Sequence, residues 1–258
     1  MSTPTKMFDL TGKVALVTGS TKGIGRSIAE QLALAGARVV ISSRKADAVA
    51  SVTADFEARG LEALGVPCNV SSKGQLANLV DAVISKWGRI DVLVCNAATN
   101  PAFGPMIDAS DEAYAKIMGT NVQSVLWLAH LVLPRMAERK DGAVIIVSSI
   151  AALRGSNMNG LYGVSKAADA ALARALAVEW GPQNIRVNSI APGLIKTDFA
   201  RALWTDEARR ARREAMTPLR RLGEPEDIGG IAVFLASPAA RFVTGQMIIA
   251  DGGVSIGW

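Results

Sequence analysis

Tyr162 and Lys166 lie four residues apart in "LYGVSKAADAAL", a segment whose pattern predicts a helix. Residues with this spacing are neighbours on one helix face. A free tyrosine has a pKa of about 10 and is a poor proton carrier at neutral pH. An ammonium about 4 Å away favours the phenolate by up to about 4 kcal/mol at an effective dielectric constant of about 20, which would bring the pKa of Tyr162 close to neutrality. The pair therefore predicts a phenol that exchanges a proton with a substrate.

Ser149 ends a predicted strand, "VIIVSSIA", thirteen residues before Tyr162. The carboxyl ends of parallel strands converge on a ligand crevice, so Ser149 can reach the same carbonyl group as the tyrosine. A serine hydrolase is a weaker interpretation, because the chain has no G-x-S-x-G motif and its single histidine, His130, lies in an apolar helical segment.

A glycine turn, "TGSTKGIGRS", follows the first predicted strand and opens the first predicted helix. Its glycines Gly19, Gly23 and Gly25 allow a ligand to approach the backbone, where a helix N-terminus presents free N–H groups to a phosphate. No G-K-[ST] follows, which excludes a Walker loop. A tight strand-to-helix corner could need glycine for packing alone. The position after the first strand of an alternating series favours a dinucleotide.

The end of the second predicted strand, "ISSRK", bears on which dinucleotide is bound. Ser43 stands where an acid would bind the ribose of NAD, and Arg44 and Lys45 follow it. Lys22 adds a cation within the glycine turn. The sequence therefore predicts NADP(H), with NAD(H) possible, and the alternative is that the basic residues are merely solvated.

Short β-branched runs alternate with helical patterns, which predicts a single doubly wound α/β domain over residues 1–258. The predicted strands are 13–18, 37–42, 62–66, 91–95, 143–148, 185–190 and 246–250. The predicted helices are 23–35, 46–59, 73–87, 111–138, 161–181 and 226–236. Residues 194–224 form a predicted insertion that serves as a substrate lid.

Composition narrows the protein class. The 258 residues are 50% apolar and 20% charged, and no segment resembles a secretory signal or a membrane span, which predicts an intracellular protein with no membrane partner. Two cysteines, Cys68 and Cys95, predict buried thiols, and neither a disulfide nor a metal site is expected.

The net charge of +5 includes seven arginines and three acids between residues 201 and 221, on one predicted helix. We interpret this segment as a solvated helical face, with a site for an anionic substrate tail as the alternative. Nucleic acid is not the expected partner.

Two segments, 121–133 and 167–180, are apolar on most of a helical circumference. A helix that is apolar all round needs a second surface to bury. The sequence therefore predicts a homo-oligomer that pairs helices near 111–138 and 161–181 across a two-fold axis.

The chain resembles the short-chain dehydrogenases/reductases over almost its whole length. The motifs "TGSTKGIG", "CNAA", "TNVQS", "YGVSK" and "NSIAPGLIKT" occur in the order and spacing of that family. The resemblance implies a Rossmann-type domain with a seven-stranded parallel sheet, commonly assembled as a tetramer. It implies four catalytic residues: Asn121 supports a proton-relay water, Ser149 holds the substrate oxygen, Tyr162 transfers the proton, and Lys166 binds the nicotinamide ribose and lowers the pKa of the tyrosine.

Together with the glycine turn and the basic residues, the resemblance implies a cofactor-binding set. Its members are Gly19, Thr21, Lys22, Gly23, Ile24, Gly25, Ser43, Arg44, Lys45, Asn69, Val70, Asn96, Ala97, Ala98, Tyr162, Lys166, Pro192, Gly193, Ile195 and Thr197. Two positions depart from the family pattern. Ala98 replaces a usual glycine, and Asn69 replaces a usual aspartate whose acceptor role an amide oxygen can retain.

Longer runs, such as "VVISSRK" and "NIRVNSIAPGLIKTDFARALW", are similar to the NADPH-dependent carbonyl and retinal reductases of animal peroxisomes. This likeness implies hydride transfer between NADP(H) and a ketone, an aldehyde or a secondary alcohol. A 3-oxoacyl reductase acting on a carrier-protein or coenzyme A thioester is the alternative, and a catalytically silent NADP-binding scaffold is a third. The chain ends in "SIGW" rather than a serine-basic-leucine signal, so we expect a cytoplasmic location.

The substrate itself depends on the loops around the site. Leu161, Phe199, Leu203 and Trp204 predict an apolar wall, although such side chains are often plain core. Arg154 lies in a polar stretch before Tyr162 and is a candidate to steer an anionic or hydroxylated substrate.

Overall fold

Seven parallel strands form one sheet at the centre of the protein, in the order β3-β2-β1-β4-β5-β6-β7. The computed structural model describes residues 4–257. The strands are β1 (Val14–Thr18), β2 (Arg38–Ser42), β3 (Ala63–Gly65), β4 (Val92–Cys95), β5 (Gly142–Val147), β6 (Ile185–Pro192) and β7 (Met247–Ala250). The four strands β1, β2, β4 and β5 are mostly apolar, and all their residues except Arg38 are buried, as expected for parallel strands covered on both faces.

Helices connect and cover the strands. They are α1 (Pro4–Met7), α2 (Gly23–Leu34), α3 (Ala46–Ala58), α4 (Lys73–Trp87), α5 (Asp111–Met118), α6 (Ser124–Arg139), α7 (Gly160–Trp180), α8 (Glu207–Met216) and α9 (Glu226–Ala236). One core lies between the sheet and α4, α6 and α7, where Leu79, Leu128 and Ala173 are buried. A second core lies on the opposite face, where Ile28 of α2, Phe56 of α3 and Ile228 of α9 are buried. The predicted doubly wound α/β fold is confirmed.

The predicted helix over 111–138 is interrupted. One π-helical turn, Gly119–Gln123, separates α5 from α6 and contains Asn121. A π turn holds one residue more per hydrogen-bonded ring than an α turn, and such turns are frequent at functional sites.

The prediction of a single arginine-rich helix over residues 201–221 is wrong. A short 3-10 turn, Arg201–Leu203, is followed by α8, which begins after Asp206 because that carboxylate accepts a hydrogen bond from the Arg209 N–H at 2.7 Å. Thr217 is extended and Pro218 follows, so the helix ends at Met216. None of the α8 residues is buried, which agrees with a solvated helical face.

The strand order places a crevice above the carboxyl ends of β1 and β4. From β1 the chain builds outward through β2 and β3, and then returns to place β4 on the other side of β1. Ligands of open parallel sheets bind at this reversal. Thr18, Cys95 and Val147 end three adjacent strands at that edge.

A buried carboxylate lies at the amino ends of the central strands, on the side of the sheet away from the crevice. Asp91 precedes β4, accepts a hydrogen bond from the Val14 N–H at 2.9 Å and pairs with Arg89. Its side chain is 2% exposed. Asp91 therefore stabilises the sheet at the end away from the crevice.

The outer face of α7 leaves apolar side chains in contact with solvent. Val178 is 81% exposed and Val164 is 45% exposed.

Both cysteines are buried and unbridged. Among the helices within residues 4–257, none has the length and apolar character needed to cross a membrane.

Candidate active site

Lys166 extends from α7 to the end of β5. Its Nζ donates to the carbonyl oxygen of Val147 at 2.9 Å and to Oδ2 of Asp169 at 2.8 Å. The side chains of Lys166 and Asp169 are 3% and 1% exposed. The ammonium lies 5.8 Å from the centre of the Tyr162 ring, so the predicted face of α7 does bring phenol and amine together.

The pKa of Tyr162 is nevertheless higher than that of a free tyrosine. Burial raises it most, the charge of Lys166 lowers it, the charge of Asp169 raises it, and the Ser149 hydroxyl lowers it. The prediction that Lys166 alone brings the pKa of Tyr162 close to neutrality is wrong in this structure. The sequence argument counted the ammonium but neither the loss of solvent nor the carboxylate bound to that ammonium.

The side chain of Asn121 connects two parts of the site. Its Oδ1 accepts from the Thr99 N–H at 2.8 Å, and its Nδ2 donates to Thr99 O and to Ser165 Oγ at 3.1 and 2.9 Å. The Ser165 hydroxyl in turn donates to the carbonyl oxygen of Tyr162 at 2.8 Å. Asn121 thus holds the first turns of α7 against the loop after β4.

Ser149 follows β5 and opens a 3-10 turn. Its Oγ accepts from the Ala151 N–H at 3.1 Å, which fixes the side chain at the carboxyl edge of the sheet. The neighbouring Ser148 donates to Lys166 O at 2.8 Å and attaches α7 to the same strand end. These bonds place Ser149 and Tyr162 beside one cleft.

The glycine turn is held by Asn96 and Thr18. The Asn96 Nδ2 donates to Thr18 O and Gly19 O at 2.9 and 3.1 Å, and Thr18 Oγ1 accepts from the N–H groups of Asn96 and Ala97. Gly19 has a φ of 66°, in the left-handed region that favours glycine. Asn96 therefore shapes the turn from the adjacent strand.

At the other end of the cleft, Arg44 lines the wall and Lys45 does not. Among the described residues, neither basic side chain has a salt-bridge or hydrogen-bond partner. Lys22 also lines the cleft, but it pairs with Asp198 of the predicted lid at 3.1 Å. Arg44 is therefore the cation with a free guanidinium at this end.

The two departures from the family pattern are accommodated. Ala98 is not in the left-handed region, since Lys140, Asn184 and Arg220 are the described non-glycine residues with positive φ. Asn69 accepts from the Ser71 N–H at 3.2 Å, and its amide oxygen retains a second lone pair.

The cleft has a volume of about 530 Å³, within the range of small-molecule and cofactor sites. It is lined by all the predicted catalytic and cofactor-binding residues except Asn121 and Lys45, which lie outside its wall. The predicted apolar wall is partly present. Phe199 and Leu203 line the cleft, whereas Leu161 is core and Trp204 instead donates from its indole to Thr197 O at 3.1 Å.

The residues present fit a phosphorylated dinucleotide. No side chain caps the N-terminus of α2 at Lys22, so its first N–H groups remain available to a phosphate. Gly23 has a φ of 54°, and an added Cβ there would lie 3.0 Å from the Thr197 side chain. The Arg44 guanidinium adds donors suited to a further phosphate.

Gly25→Ala tests this cradle. An added Cβ would lie far inside van der Waals distance of Asn96 Nδ2 and Gly19 O. Either the turn or Asn96 must move, so we expect the Kd for NADPH to rise at least about tenfold and stability to fall by about 1–3 kcal/mol. Fluorescence titration with NADPH and thermal denaturation measure the two effects.

Gly230→Ala is the matched control. Gly230 lies within α9, and an added Cβ there meets nothing within 4 Å. We expect an unchanged Kd and a gain of about 0.5–1 kcal/mol in stability. Equal effects of the two substitutions on the Kd would contradict the cradle.

Sequence reasoning missed Asp169, Ser165 and Asp198. Asp169 is the single acid in "KAADAALARA", a segment that we interpreted as apolar. It lies three residues after Lys166, and this i,i+3 spacing could have indicated the ion pair. Asp198 is 176 residues from Lys22, and no local signal predicts that contact.

Comparison with known proteins agrees with this geometry. A family model described as "Enoyl-(Acyl carrier protein) reductase" matches residues 19–255. "Dehydrogenase/reductase SDR family member 4" of Sus scrofa is 45% identical over 246 residues, covering 95% of this chain and 88% of the relative. The protein of the same name from Homo sapiens is 44% identical over 249 residues, covering 96% of this chain and 90% of the relative.

Solved structures share the whole fold. A gluconate 5-dehydrogenase from Burkholderia cenocepacia in complex with NADP and tartrate has a TM-score of 0.94 and 31% identity, covering 98% of this chain and 99% of that chain. A 7 alpha-hydroxysteroid dehydrogenase complexed with NADH and 7-oxo glycochenodeoxycholic acid has a TM-score of 0.93 and 38% identity, covering 98% of each chain. With its parallel sheet, its glycine turn and its Tyr162–Lys166 pair, this oxidoreductase belongs to the short-chain dehydrogenase/reductase family.

Proposed function

We propose that this protein is an NADP(H)-dependent oxidoreductase that interconverts a ketone or aldehyde and the corresponding alcohol. The observation that carries the proposal is that one cleft holds Tyr162, Ser149 and Lys166 at one end and Arg44 at the other. Nicotinamide, when bound, supplies the hydride for reduction or accepts it in oxidation.

The protein's residues handle the proton and the substrate oxygen. The Ser149 hydroxyl donates a hydrogen bond to the carbonyl oxygen, and the Tyr162 hydroxyl gives that oxygen its proton as the alcohol forms. Lys166 would hold the ribose of the cofactor with the one N–H that Val147 and Asp169 leave free. Asn121 positions the Tyr162 turn through Ser165.

NADP(H) is the proposed cofactor because of Arg44. The unpaired Arg44 guanidinium lines the cleft just after β2. An NAD-binding protein usually has an acid there that accepts hydrogen bonds from the ribose, and this chain has Ser43 in its place. Of the two similar structures, gluconate 5-dehydrogenase was solved with NADP and 7 alpha-hydroxysteroid dehydrogenase with NADH, so the choice of NADP(H) rests on Arg44 and Ser43.

Residues 194–224 are proposed as the substrate lid. Phe199 and Leu203 present apolar surface to the cleft, and the Phe199 ring lies 6.1 Å from the Tyr162 ring. These contacts favour a substrate with an apolar group next to its carbonyl carbon.

A 3-oxoacyl thioester reductase is the second candidate. Arg154 and Arg213 line the cleft, and their guanidinium groups are suited to the phosphate of a coenzyme A or carrier-protein thioester. This candidate predicts that acetoacetyl-coenzyme A is reduced with a higher kcat/KM than simple ketones, and that Arg213→Ala weakens that preference.

Self-association through α6 and α7 is also proposed, as a homotetramer or a dimer. The exposed Val164 and Val178 on α7 support a partner surface along that helix.

The test of the proposed function is NADPH oxidation across a panel of ketones, diketones, aldehydes, quinones and acetoacetyl thioesters. We expect turnover with one of these carbonyl classes and NADPH kcat/KM above that of NADH. Binding of NADPH without turnover of any carbonyl or alcohol would instead identify a cofactor-binding scaffold.

A further inference from the structure

Asp169 is buried beside the proposed proton donor but lies outside the cleft wall. Its Oδ2 accepts the Lys166 ammonium at 2.8 Å, and its other carboxylate oxygen, Oδ1, is buried without a hydrogen-bond partner in the described chain. A buried carboxylate is costly unless paired. Burial raises the pKa of Asp169, and the Lys166 ammonium opposes this rise by balancing the negative charge of the carboxylate.

The same ammonium also faces Tyr162. Lys166 lies 5.8 Å from the phenol ring, and two of its three N–H donors are bonded to Val147 O and Asp169. Its positive charge is consequently shared between a fixed carboxylate and the phenol.

The titratable groups around Tyr162 come from two elements. Lys166 and Asp169 belong to α7, and Cys95 at the end of β4 is electrostatically coupled to both. Burial raises the pKa of the Cys95 thiol above its usual range, so it stays neutral. Burial lowers the pKa of Lys166, but the negative charge around it, above all that of Asp169, raises the pKa overall and keeps Lys166 an ammonium.

We propose that Asp169 is a positioning residue that holds the Lys166 ammonium at the end of β5 and offsets its charge beside the Tyr162 phenol. The proposal rests on the proton-transfer role of Tyr162 in the proposed function. It implies that the Tyr162 phenol releases its proton at a higher pH with Asp169 present than it would beside an unpaired Lys166 ammonium.

Tyrosine absorbance tests the proposal without any substrate or cofactor. The chain has two tyrosines, and Tyr114 on α5 is 53% exposed, so Tyr114→Phe leaves Tyr162 as the sole tyrosine. In that protein the pH at which the tyrosinate absorbance reaches half its maximum is the reference midpoint of Tyr162. Adding Asp169→Asn removes the negative charge and should lower this midpoint by about one pH unit.

The kinetic profile gives a second readout. Reduction needs the phenol, so its kcat/KM falls as pH rises through the pKa of Tyr162, and oxidation shows the opposite limb. Both limbs should move to lower pH in Asp169→Asn by the shift seen in absorbance. A merely structural ion pair would change stability and leave these midpoints in place.

Asp91→Asn is the matched control, since Asp91 is an equally buried, paired acid at the opposite edge of the sheet. It should lower the Tm and leave the Tyr162 midpoint unchanged.

Three results would overturn the role of Asp169: equal midpoints with and without Asp169→Asn, an upward shift, or an equal shift in Asp91→Asn. If Asp169→Asn fails to fold, Asp169→Ser in the Tyr114→Phe protein removes the same charge, and an unchanged Tyr162 midpoint in that variant contradicts the proposal. Failure of every carbonyl assay would defeat the proposed function, while the absorbance titration would still measure the effect of Asp169.

Discussion

Tyr162→Phe should reduce kcat/KM for the carbonyl substrate by about a thousandfold or more, because it removes the only proton donor proposed at the substrate oxygen. The phenyl ring keeps the packing of the buried tyrosine and its contact with Phe199. Lys166 retains its bonds to Val147 and Asp169, so the Kd for NADPH should stay close to its original value. Steady-state kinetics and fluorescence titration on the same preparation separate the two effects.

The control for this substitution is Tyr114→Phe, which removes the other hydroxyl of the same type from the exposed surface of α5. Its kcat/KM should be unchanged. Substantial residual turnover in Tyr162→Phe would mean that another group, such as Ser149, delivers the proton, and the role given to Tyr162 would be wrong.

Most of the fold could be predicted because a parallel sheet has a strong sequence signal. Strands covered on both faces are continuous apolar runs, and the predicted strand 91–95 differs by one residue from the observed Val92–Cys95. The π turn at Gly119–Gln123 could not be predicted, because it depends on which carbonyl each N–H selects and not on the apolar period.

The site was predictable where chemistry follows from local spacing. Tyr162 and Lys166 share a helix face by their i,i+4 separation, and the glycine turn follows directly from its place after β1. The pKa of Tyr162 could not be predicted, because burial and the charge of Asp169 act on it only once α7 packs against β5. An acid in a helix is usually solvated, so its sequence position alone does not reveal a buried charge.

Arg44→Asp should reverse the cofactor preference. The substitution removes a guanidinium from the cleft and puts a carboxylate at the end of β2, where it can bind a free ribose hydroxyl and repel a phosphate. Losing a charge-assisted hydrogen bond costs about 1.5–3 kcal/mol, and repulsion adds to it. The ratio of kcat/KM for NADPH to that for NADH should therefore fall by about 100-fold or more.

Lys45→Asp changes the net charge by the same amount one residue further along, which makes it a matched control. Lys45 does not line the cleft. A general electrostatic effect would therefore change the ratio in both variants, whereas loss of a direct phosphate contact would change it only in Arg44→Asp. We expect the ratio to change much less in Lys45→Asp, and its change to shrink as salt screens the charge. An unchanged ratio in Arg44→Asp, or equal changes in the two variants, would show that Arg44 does not bind the phosphate and that NADP selectivity has another source.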